Sequence, residues 1–115
     1  MSTASVSPHG RLGRLELTAD SATVTFVGEL DAAMAEEARS LLDQAIGAER
    51  PRTVVEMERV TFMDSTTMRV LLDAHRGAVA RGRALVLRNL RGNPRTMTML
   101  AGLHLSVVLE DAPGA

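Results

Sequence analysis

The sequence predicts an α/β domain, a layered fold containing βαβ units. Three observations carry that reading. Short runs of alternating or β-branched apolar residues stand at 15–17, 23–26, 53–57, 84–87 and 105–109. Between the later runs, apolar residues recur at helical spacing. Gly, Pro, Asp and Asn punctuate the joins.

Leu15 and Leu17 alternate with Arg14 and Glu16, and Val24 and Phe26 alternate with Thr23 and Thr25. A period of two marks half-buried strands, and the polar "ADSA" at 19–22 supplies the turn of a hairpin. Asp31 then opens an amphipathic helix. Met34, Ala38, Leu41, Leu42, Ala45 and Ile46 share one face, while Glu36, Glu37, Ser40, Asp43 and Gln44 occupy the other. Gly47 and Pro51 stop it. "TVVEM" (53–57) is a strand that leads into "VTFMDSTTMRVLL" (60–72). A second helix is predicted over 65–81, with Met68, Leu71, Leu72, Ala78 and Val79 facing inward and Arg69, Asp73 and Arg76 outward. "ALVL" (84–87) is apolar throughout, as in a strand covered on both faces, and is predicted to be the centre of the sheet. Asn93 and Pro94 form a cap and first-turn pair for a short helix reaching Gly102, and "LSVVL" (105–109) is the last strand. Residues 1–10 and 111–115 are predicted to be flexible tails around one domain spanning 11–110.

Composition excludes several chemistries. There is no Cys, hence no disulfide, thiolate metal site or thiol nucleophile. All 13 basic residues are Arg, so a P-loop lysine and Schiff-base chemistry are absent too. Phe26 and Phe62 are the whole aromatic content, too little to stack single-stranded nucleic acid. The N-terminus lacks a basic segment followed by an apolar stretch, and no apolar run approaches a membrane span. A cytoplasmic protein without cofactor, metal, nucleic acid or membrane is expected. The net charge of -1 hides an asymmetry: 7 Arg against 12 acids through Asp73, then 6 Arg against 2 acids. A solvated mixed-charge surface is expected, with a one-sided surface for a charged partner as the alternative.

The cluster Asp64-Ser65-Thr66-Thr67 lies between the third strand and the second helix. Asp64, Ser65 and Thr66 are all competent helix caps, but the reciprocal capping box is missing, because Thr67 and Met68 stand where Glu or Gln would be wanted. Serine hydrolysis fails on geometry. His75 lies ten residues along the same helix, about 15 Å from Ser65 at 1.5 Å per residue, and the glycines of a nucleophile elbow are missing. His9, His75 and His104 show no ligand spacing. Modification is the third possibility. A phosphate on a serine at a helix start adds about -1.5 to -2 charge, which the positive helix end tolerates and a docked partner would have to desolvate.

"VTFMDSTTM" (60–68) resembles the phosphorylation segment of STAS-domain proteins, specifically anti-sigma-factor antagonists, in which an apolar run precedes Asp-Ser-Ser-Gly and Leu. "VGELDAA" (27–33), "TVVEMERV" (53–60) and "RNLRGNPRTMTMLAGL" (88–103) are similar to further family segments in the same order, so the resemblance spans about 12–110. It implies a small mixed sheet of four to five strands with three to four helices packed against it. It implies a non-enzymatic regulator whose Ser65 accepts phosphate from an anti-sigma factor with ATP-dependent serine kinase activity and is reset by a serine phosphatase. The unphosphorylated form would bind the anti-sigma factor and free a sigma factor, with Asp31, Asp64, Thr66, Thr67 and Met68 on the contact surface. The family's Gly is Thr67 here, which places a β-branched side chain beside the acceptor. Its Leu is Met68, and the usual Asp of the third strand is Glu56. Thr66 and Thr67 are alternative acceptors. The alternative function is that of a STAS-type accessory or scaffold subunit of a stress-signalling complex or lipid transporter, with no kinase-driven switch.

Overall fold

The computed structural model describes residues 13–111. The predicted tails, apart from Asp111, lie outside the described residues, as does His9. The elements are β1 (Gly13–Leu17), β2 (Ser21–Leu30), a 3-10 turn (Ala32–Met34), α1 (Ala35–Gly47), β3 (Arg52–Met63), α2 (Ser65–Val79), β4 (Leu85–Arg88), α3 (Gly92–Leu100), a 3-10 turn (Leu103–Leu105) and β5 (Val108–Glu110).

The five strands lie side by side in chain order. β1 and β2 form the antiparallel hairpin, pairing Leu15 with Val24. The Thr18 hydroxyl closes its turn by accepting the amides of Asp20 and Ser21 at 3.3 and 3.1 Å. β2, β3, β4 and β5 are parallel, so their C-terminal ends share one edge of the sheet. That edge is where open parallel sheets present their loops for binding.

The central strand is β3, which corrects the expectation for 84–87. β4 lies between β3 and the edge strand β5, and pairs with β3 only from Thr53 to Glu56. An unbroken apolar run reports cover on both faces and says nothing of rank in the sheet. β3 breaks its own run because it continues past β4 through the exposed Glu58 and Arg59. β5 also starts later than predicted. Gly102, at φ 74, ends the α3 region in a left-handed turn, and the chain then makes a second 3-10 turn before Val108.

The helices bury the predicted stripes against one face. Ala38, Leu41, Leu42, Ala45 and Ile46 of α1 meet Leu71, Ala74 and Ala78 of α2 over Val24, Phe26, Val55, Met57, Leu85 and Leu87. Each large side chain buried this way contributes about 1.5–3 kcal/mol relative to exposure. Val79 was expected inside but is 53% exposed. It continues the row of Leu72, which is itself only half-buried, and so lies on the flank of the stripe. Asp31 caps the 3-10 turn rather than α1: its carboxylate accepts the Ala33 amide at 3.0 Å, while α1 starts after Met34 without a side-chain cap.

Candidate functional site

Parallel pairing brings Leu30 opposite Met63 at the ends of β2 and β3, so Asp31 and Asp64 are the next residues of two adjacent strands. Neighbouring strands run about 4.8 Å apart. A single acceptor joins the two segments. The Leu30 carbonyl takes the Asp64 amide at 3.2 Å and the Thr67 hydroxyl at 2.9 Å. Asp64 has extended backbone and caps α2, its carboxylate accepting the Thr67 amide at 3.0 Å. One turn cap therefore stands beside one helix cap.

Ser65 is the first residue of α2, and both it and Thr66 are exposed. Thr67 is 1% exposed, because its hydroxyl finds the Leu30 carbonyl inside the fold. Its side chain turns inward, away from the surface on which Ser65 lies. Met68 is buried as well, at 6%. It forms part of the wall of a groove of about 570 Å³ between α2 and the α3 region, shared with Ser65, Arg69, Leu72, Met97 and Leu103. A smaller cleft of about 390 Å³ borders Asp31, lined also by Val27, Gly28, Glu29 and Thr61. Gly28, at φ 87, occupies the left-handed region at a register irregularity of β2, where a side chain would be strained.

Asn93 was expected to cap α3. Its Oδ1 instead accepts the Met63 amide at 2.8 Å, and α3 begins after Arg91 with no side-chain cap. Asn93 thus holds the last residue of β3, immediately before Asp64. Sequence reasoning missed this role because the two residues are 30 positions apart. Glu56, the longer residue in the family's Asp position, reaches across to β4: its carboxylate accepts the Asn89 amide group at 3.1 Å and lies 4.0 Å from Arg88.

His75 is buried in the inward stripe of α2, and loss of solvation holds its pKa below the ordinary 6.5. Its Nδ1 has no hydrogen-bond partner among the described residues. Ser65 faces solvent nearly three turns away, so this imidazole is packing material rather than a base for that hydroxyl. The charge asymmetry of the sequence does not separate in space along the ion pairs. Arg81 and Arg88 from the basic half reach Glu49 and Glu56 from the acidic half.

A family model of the STAS domain matches residues 15–113. The chain belongs to the STAS domain family. Among solved structures, this STAS domain is similar to the Bacillus cell fate determinant SpoIIAA in its phosphorylated form, at 26% identity and TM-score 0.70, covering 89% of this chain and 92% of that one. It is similar at 25% identity and TM-score 0.69 to the anti-sigma factor antagonist SpoIIAA in its unphosphorylated form, covering 87% and 88% of the two chains. An anti-sigma factor antagonist from Mycobacterium paratuberculosis shares the fold at TM-score 0.79, with 17% identity and coverage of 92% and 90%. A sulfate transporter family protein from Wolinella succinogenes shares it at TM-score 0.61, with 22% identity and coverage of 76% and 74%. No curated protein sequence matches this STAS domain. Its mixed sheet of five strands with three helices is the fold of SpoIIAA. Among the described residues, no helix is long and apolar enough to cross a membrane.

Proposed function

We propose that this STAS domain is an anti-sigma-factor antagonist, a binding switch rather than an enzyme, controlled at Ser65. The observation that carries this reading is the placement of Ser65. Its residue is exposed on the first turn of α2, beside a capping Asp64 and at the edge where the parallel strands end. The likeness to SpoIIAA, solved in unphosphorylated and phosphorylated forms, supports it.

In the unphosphorylated state, Asp31, Asp64, Ser65 and Thr66 present the contact surface to an anti-sigma factor, which then releases its sigma factor in the cytoplasm. The partner's serine kinase transfers the γ-phosphoryl group of ATP to the Ser65 oxygen. The hydroxyl proton passes to the kinase and ADP leaves. A phosphatase uses water to restore the serine. The phosphate adds about -1.5 to -2 charge beside Asp64, and any partner returning to this face must desolvate it. Each 1.4 kcal/mol of that cost lowers affinity tenfold. The helix end accepts the same charge without harm to the fold.

Incubation with the anti-sigma kinase and ATP, followed by mapping of the phosphate, tests the site. Modification confined to Ser65 and lost in Ser65→Ala is expected; undiminished labelling of that variant would refute the assignment. A pull-down that returns a transporter ATPase or a large scaffold in place of an anti-sigma factor would refute the partner.

A further inference from the structure

We infer that Arg69 is the internal receiver of a phosphate on Ser65, so that the modified domain neutralises part of its own signal. This rests on the proposed modification of Ser65 and concerns what the chain does once it is phosphorylated. Ser65 and Arg69 are four residues apart on α2, which is one turn, or about 6 Å of helix axis. Residues at that spacing share a face, and helical side chains favour leaning toward the N-terminus, so Arg69, once released from Asp73, is within reach of Ser65. Both residues also line the groove between α2 and the α3 region, in which Arg69 is the single charged residue among the described ones.

The present partner of Arg69 is easily surrendered. Its Nε donates to Asp73 Oδ1 at 3.3 Å, at the long end of hydrogen-bond distances, and its side chain is 68% exposed. Such surface pairs hold weakly. Asp73 does not depend on Arg69 either, because Arg39 Nη1 of α1 approaches its other oxygen at 3.2 Å. When Arg69 leaves, Asp73 keeps a charged partner. A phosphoserine dianion offers Arg69 oxygens that can accept two parallel N–H bonds, a stronger match than one long contact to a shared carboxylate. Asp64 and Asp31, at the two strand ends beside Ser65, are acidic and cannot take this role.

Two consequences follow for the switch. The phosphate is bound along the axis of α2 instead of projecting freely from it. The rim of the groove also changes with the modification, since Arg69 forms part of its wall.

The test uses full-length protein with phosphoserine incorporated at position 65 during translation, so that no kinase is involved. Phosphorus NMR follows the second ionisation of the phosphate in this protein and in its Arg69→Gln and Arg69→Lys variants. A neighbouring cation favours the dianion, so Arg69→Gln should raise the midpoint by roughly half a pH unit, with Arg69→Lys recovering part of the difference. The helix dipole, Asp31, Asp64, Asp73 and Arg39 are common to all three proteins and cancel in the comparison. Identical midpoints in the three proteins would overturn the proposal. A kinase that ignores Ser65 would defeat the functional reading and leave this pairing standing, whereas an unchanged titration would do the reverse.

Discussion

The Leu30 carbonyl serves two donors, the Asp64 amide and the Thr67 hydroxyl, and through them the first turn of α2 is fixed to the end of β2. Thr67→Val keeps the shape and removes one donor, leaving the acceptor with its other partner. A loss of about 1 kcal/mol in denaturant unfolding is expected. Because Thr67 faces inward, the same variant should be phosphorylated at the wild-type rate, and a large change in rate would show that the side chain reaches the kinase after all. The cap at Asp64 was legible in the sequence because a cap and its amide are three residues apart. The inward turn of Thr67 was not, because its acceptor lies 37 residues earlier. His75 makes a second prediction at this scale. Its pKa is lowered in the fold, so the unfolded chain takes up a proton first as pH falls below about 6.5. Stability should decline through that window until the native imidazole is protonated too. His75→Leu should flatten urea midpoints measured between pH 7 and 5, and an unchanged slope would remove the effect.

At the level of elements, α3 supports the site through a strand rather than through a helix end. Asn93→Ala leaves the Met63 amide without its acceptor and should cost about 1–3 kcal/mol. The loss should be accompanied by faster hydrogen exchange at Met63; protection equal to wild type would show that another group satisfies this amide. The strands β1 and β2 could be read from alternation, and α1 from its apolar stripe, since both patterns are local. The rank of β4 could not. Its apolar run reports burial on both faces, whereas position in the sheet depends on which chain segments pair. Asn93 misled for a similar reason: Asn before Pro is good cap chemistry, yet the carbonyl oxygen of its side chain had a strand amide within reach.

Across the whole molecule, the far end of β5 is fastened electrostatically. Glu110 accepts from Arg88 Nε at 2.8 Å and from Arg52 at 2.5 Å. The hydrogen bond from Arg88, followed by that from Arg52, holds its carboxyl below the ordinary 4.5. A depressed carboxylate stabilises the fold above the unfolded value, and that stability is lost as pH falls through the lower, folded value. Glu110→Gln should therefore unfold with a flatter acid limb below pH 4.5 than the wild type. The difference should shrink in high salt, because these side chains are partly exposed. A salt-independent difference would point to packing instead.

The strands lie in the sheet in the order in which they occur along the chain. During synthesis, each new strand can therefore be laid beside the one made just before it, without opening a sheet already formed. The two strand ends that frame Ser65 are complete once α2 has been made, before β4 and β5 exist. A nascent chain can thus pair the strand ends around its switch early, and Asn93 of α3 fastens Met63 once β4 has been added.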